Sequence, residues 1–84
     1  MNDLDFYVKY CIRHRIPHSE IIDSGDLPTW ISIEDFSIRY REIAREKLKQ
    51  YNQHLNRNLK SHTVECYRSI IKFLENEIES FRRY

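Results

Sequence analysis

Six apolar residues near the C-terminal end, Val64, Tyr67, Ile71, Leu74, Ile78 and Phe81, recur at steps of three, four, three, four and three. Only a helix brings such a set to one side, and the alternation is the seam of a helix packed along another helix. A second set, Cys66, Ile70 and Phe73, lies on an adjoining face. At about 100° per residue the two sets cover nearly half of the helix surface. A surface helix of a small globular protein hides a narrower stripe than that. The pattern predicts a helix that meets its own chain on one side and a partner on the other.

Upstream, Ile33, Phe36, Tyr40, Ile43, Ala44, Leu48, Tyr51, Leu55 and Leu59 form one stripe of a long second helix. Ile33, Ala44 and Leu55 repeat at eleven residues, which keeps such a helix nearly straight. Ser32-Ile33-Glu34-Asp35 is a capping-box-like start, with an acid at the third helical position. Asn56 to Lys60 reads as a break, with Ser61 as the cap of the last helix. The short connection predicts an antiparallel hairpin of helices 33–58 and 62–82. At the N-terminal end Leu4, Val8, Cys11 and Ile12 share a helical face beside Tyr7, with Asn2 or Asp3 as cap. Pro17 ends this helix, expected over 3–15, because the residue before a proline avoids the α region.

The stretch 17–32 is expected as a connector, holding a short helical turn from His18 to Asp23 that closes at Gly25. Its large apolar residues Leu27, Trp30 and Ile31 are expected to fold back over the core. Trp30 has a second reading, as an anchor at an interface, where tryptophan is enriched.

With 84 residues the chain makes one domain, all-α, with a short first helix and a long hairpin. A core this thin is marginal and gains from self-association into a helical bundle. The composition, 40% hydrophobic and 32% charged, is that of a globular chain. Two cysteines make no disulfide scaffold, and the acidic Met-Asn-Asp-Leu-Asp start is unlike a secretory leader. No apolar run is of membrane-spanning length. A cytoplasmic protein with reduced thiols is expected.

Charge is segregated. From 19 to 35 there are five acids (Glu20, Asp23, Asp26, Glu34, Asp35) and no lysine or arginine. From 38 to 60 seven basic residues face Glu42 and Glu46. Arg41, Arg45 and Lys49 form an i, i+4, i+8 row, continued by Asn52 and Asn56. Such a row can track phosphates while the amides reach base edges. It reads equally as a solvated face in which Glu42–Arg45 and Glu46–Lys49 pair, and the acidic segment 20–35 has the charge to dock on a basic face of a second copy.

Cys11, His14 and His18, with His62 and Cys66, are of zinc-ligand type, yet no CxxC knuckle is present and Cys11 falls on an apolar face, so no metal and no cofactor is expected. Catalysis has no support: there is no glycine-rich phosphate loop, HExxH or GxSxG. The carboxylate pairs Glu75/Glu79 and Asp3/Asp5 lie on segments that read as exposed, without a pocket to shift them. The segment from Leu55 to Leu74, with Ser61, Thr63, Tyr67 and Phe73-Leu74, resembles the first helix–turn–helix of the DNA-clamping domain of tyrosine recombinases. The resemblance covers about a quarter of the chain and favours the DNA-binding alternative; the rest of that domain and the catalytic domain are absent, and no function is carried over.

These readings converge on a non-enzymatic interaction protein, a regulator or adaptor that lays a helical face on a partner protein. Its expected partners are a second copy and another protein, with no membrane. Ile70, Phe73, Tyr84 and Trp30 are the expected apolar contacts. The alternative is a nucleic-acid-binding regulator using Arg41, Arg45, Lys49, Asn52 and Asn56.

Overall fold

The computed structural model describes residues 3–55 and 61–82. They form α1 (Asp3–Arg13), α2 (His18–Ser24), α3 (Ile33–Leu55) and α4 (Ser61–Arg82), with no strand among the described residues. The all-α class holds. No helix is long and apolar enough among these residues to cross a membrane. The chain divides into two compact units, Met1–Ile43 and Ala44–Tyr84.

In the first unit, α1 carries Asp3 and Asp5 in its first turn and Arg13 in its last, each favourable to the helix dipole. Its inward face is Val8, Cys11 and Ile12, all buried, with Leu4 and Tyr7 half-buried beside them. The helix stops at Arg13, two residues before the expected Arg15. The reason lies in Arg15 itself, which sits in the left-handed region at φ 55°. The Arg15 amide donates to the Ile12 carbonyl at 3.0 Å and the Ile16 amide to the Cys11 carbonyl at 2.8 Å. This pair of bonds is a Schellman motif, which satisfies carbonyls a helix end leaves open.

The stretch 17–32 contains a true helix. Pro17, extended at ψ 145°, precedes α2, and the Glu20 amide donates back to its carbonyl at 3.1 Å. Gly25 closes α2 at φ 74°, a conformation that costs glycine little. His18 and Ile21 point into the core. The expected cover of three apolar residues divides: Ile31 is buried, Leu27 half-buried and Trp30 exposed. The Ile31 amide donates to the Pro28 carbonyl at 3.0 Å. That tight turn sends the neighbouring Trp30 and Ile31 side chains to different environments.

Ser32 caps α3, its hydroxyl accepting the Asp35 amide at 3.0 Å. Phe36, Tyr40 and Ile43 follow as buried residues, whereas Ile33, expected on the same stripe, is exposed. Periodicity puts Ile33 on the same side of α3 as Phe36 and Tyr40, yet in the first turn its side chain stays in solvent. The aromatic centre of the unit joins Tyr7 to Phe36 (ring centroids 5.9 Å apart), Phe36 to Tyr40 (5.7 Å) and Tyr40 to His18 (5.6 Å). Such tilted pairs are favourable beyond the area they bury. The Tyr40 hydroxyl donates to the Ile16 carbonyl at 3.0 Å, tying α3 to the corner between α1 and α2.

Asp5, read from sequence as exposed, is bridged by Arg39. The guanidinium Nε donates to Oδ1, and Nη2 donates to Oδ2 at 2.7 Å. This fork holds the Asp5 carboxyl below its ordinary value and raises the Arg39 guanidinium. Nη1 of Arg39 also donates to Glu42 at 3.1 Å.

In the second unit, Ala44 of α3 and Ile70, Ile71, Leu74 and Glu77 of α4 are buried. Tyr67, Ile78 and Phe81 of the seam are half-buried. Tyr67 sits between Tyr51 (5.3 Å) and His54 (5.8 Å, nearly parallel rings). Leu48 lines a shallow groove with Glu75, Ile78, Glu79 and Arg82. Glu79 and Arg82 pair on the surface at 3.7 Å.

Candidate docking faces

The apolar contacts expected on α4 shift. Ile70 is buried within the chain and offers nothing to a partner; Phe73 is half-buried. The seam residues alone do not account for the inner side of α4, so the adjoining set is drawn in with them. Tyr84 and Asn56 lie outside the described residues, as do Leu59 and the side chain of His62. Trp30 stands exposed and does not fold back over the core as expected.

Among the described residues the large apolar side chains left in solvent belong to the first unit: Phe6 (71% exposed), Trp30 (63%), Ile33 (57%), Tyr10 (49%) and Ile38 (43%). Isolated exposed apolar residues are ordinary, but grouped ones mark contact surfaces. Phe6 and Tyr10 are one helical turn apart on α1, on the side opposite Val8, Cys11 and Ile12. With Lys9 and Arg13 they line a shallow groove. The His14 ring lies against Tyr10 at 4.4 Å and extends the row. The outward side of α1 is therefore an aromatic ridge edged with cations. A helical wheel of 3–13 contains this signal: Phe6 and Tyr10 fall away from the Leu4–Val8–Cys11 stripe, so α1 has two apolar faces where a surface helix has one. A second apolar group, Trp30 and Ile33, occupies the acidic stretch and is followed by exposed Glu34 and Asp35.

The basic row of α3 is exposed at Arg41, Arg45, Lys49 and Asn52. Among the described residues none of the three cations has an ion-pair partner. Glu42, expected to neutralise Arg45, pairs with Arg39 instead. Like charges one turn apart repel by a few tenths of a kcal/mol per pair, so this row gains from an anionic surface.

Cys11 and His18 are buried, while His14 and Cys66 are exposed. Among the described residues no group of three or more histidine, cysteine or acidic side chains is placed to hold a metal ion. Burial pushes the Cys11 thiol above its ordinary value, opposite to the thiolate a ligand or nucleophile requires. Burial likewise raises the Tyr7 phenol.

No family model, curated protein or solved structure matches this chain.

Proposed function

We propose that this chain is a small non-enzymatic interaction protein that docks a helical face on a partner protein and blocks or bridges it. One observation carries the reading: five large apolar side chains between 6 and 38 stand in solvent while the core of the same unit is filled. Fully burying a side chain of this size is worth about 1.5–3 kcal/mol, so a partner that covers several of them gains substantially. The docking face is α1 with the Trp30–Ile33 segment. The hairpin of α3 and α4 is antiparallel in this reading, supported by the order of their contacts: Tyr51 meets Tyr67, and Leu48 lies with Ile78, further along α4. The hairpin is a scaffold here, since Ile70 faces inward.

The test is a photo-crosslinking phenylalanine analogue placed at position 6, at 30 and at the exposed control position Glu46, irradiated in cells. Protein adducts from 6 and 30, absent from 46 and lost on Tyr10→Asp, are expected. No adduct from either position would refute the reading.

A second reading is favoured by Arg41, Arg45 and Lys49, which have no ion-pair partner among the described residues: a nucleic-acid-binding regulator. It is tested by fluorescence anisotropy with labelled duplex and single-stranded DNA across a salt series. Three phosphate contacts give a log–log salt slope of about −2 to −3, and Arg41→Glu with Arg45→Glu abolishes binding. No binding at low salt eliminates this reading.

A further inference from the structure

We infer that the partner of the α1 ridge is a second copy of this chain, and that the ridge of each copy seats on the acidic Trp30–Ile33 segment of the other. The inference rests on the docking reading above and names its occupant.

Complementarity of two surfaces that the same chain carries is the basis. The ridge presents Phe6 and Tyr10 with Lys9 and Arg13, all exposed. Neither cation is tied up in an ion pair among the described residues. The segment presents Trp30 and Ile33 with Asp26, Glu34 and Asp35 exposed around them, and it contains no lysine or arginine. The segment thus offers two large apolar groups edged by acids alone, and the ridge offers two edged by two cations and the exposed Asp3, so its net charge is positive and opposite to that of the segment. Docking like on like would set Lys9 and Arg13 against their own images, or Glu34 and Asp35 against theirs. Only ridge on segment satisfies both charge and apolar burial. The basic row of α3 is a poorer match for the acidic segment, because among the described residues Ile38 is the one large exposed apolar residue beside it.

Area decides how many such contacts are made. A stable interface takes about 800 Å² from each partner, against 6156 Å² for the whole chain surface. Two apolar side chains on two others fall short of that. A two-fold axis makes the contact twice, once in each direction, and closes the assembly as a dimer.

Analytical ultracentrifugation of the full chain tests this with two charge-reversal variants. One carries Lys9→Glu and Arg13→Glu; the other carries Glu34→Lys and Asp35→Lys. The wild type is expected to sediment as a dimer. Each variant alone, with helix content retained by circular dichroism, is expected to be monomeric, its dimer affinity lowered at least about tenfold by like charges facing twice. Mixed in equal amounts, the two variants restore opposite charge at both contacts and form a heterodimer. If a charge variant fails to fold, Phe6→Ser with Tyr10→Ser, which removes solvent-exposed side chains only, is expected to give a folded monomer.

A wild type that stays monomeric at high micromolar concentration overturns the inference. So does a dimer that survives Phe6→Ser with Tyr10→Ser, and so does an equimolar mixture that remains monomeric. The crosslinks at positions 6 and 30 separate this failure from that of the docking reading. Adducts of a different protein keep the docking face and remove the second copy, whereas no adducts remove both.

Discussion

Tyr40→Phe removes one oxygen from the centre of the first unit and keeps the ring. The ring keeps its neighbours, His18 at 5.6 Å and Phe36 at 5.7 Å, and the side chain is fully buried. What is lost is the hydroxyl, and with it the bond it donates to the Ile16 carbonyl at 3.0 Å. A net hydrogen bond contributes about 0.5–1.5 kcal/mol, and an acceptor left dry costs about 1–3 kcal/mol. Ile16 is half-buried, so water partly replaces the lost donor and the lower range applies. The expected loss is about 1–1.5 kcal/mol. For a domain of this size that lowers the melting temperature by roughly 5–10 °C. Urea unfolding followed by far-UV circular dichroism measures it. The comparison with Tyr40→Leu matters, because that change also discards the ring contacts and is expected to cost more, about 2–4 kcal/mol. A Tyr40→Phe variant within about 0.5 kcal/mol of wild type, the range of substitutions that touch nothing, would refute the role given to this bond at the α1–α2 corner.

The Asp5–Arg39 fork makes stability fall in acid. The Asp5 carboxyl is held below its ordinary 3.8, so its contribution is complete above that value and is lost as pH falls through the lowered one. Urea midpoints of wild type and Asp5→Asn should therefore differ most near neutrality and converge in strong acid; a difference independent of pH would contradict the pairing. Arg15→Gly should stabilise the chain by about 1 kcal/mol in thermal melts, because glycine takes the left-handed backbone that Arg15 adopts at φ 55° with strain. A loss of stability instead would show that the Arg15 side chain makes a contact worth more than the strain. Ser32→Ala should cost about 1 kcal/mol through the lost cap on the Asp35 amide, while Ser32→Asp should leave the urea midpoint nearly unchanged.

Much of the local structure was legible in the sequence because its causes are local. Ser32 caps α3, Gly25 closes α2 in a left-handed conformation, and the stripe through Ile71 and Leu74 is buried. Each follows from side-chain and backbone chemistry within one or two turns. The early stop of α1 was less legible, since it turns on Arg15 adopting a conformation its side chain disfavours. The candidate site was legible only in part. Trp30 and the row Arg41, Arg45, Lys49 stand in solvent, as an interface reading requires. Ile70 does not, and Phe6 and Ile33 had not been expected to.

Periodicity assigns a residue to a side of its helix, and that much belongs to the sequence alone. Which side is covered, and how far along, depends on where other elements reach. On α1 two apolar faces compete, and the tertiary fold covers Val8, Cys11 and Ile12 while leaving Phe6 and Tyr10 in water. Asp5 and Arg39 are 34 positions apart, and no spacing rule joins them. Their pairing, like the exposure of Ile33 just before the buried Phe36, Tyr40, Ile43 and Ala44, was decided by packing, because burial is a property of neighbours in space and the sequence lists only neighbours along the chain.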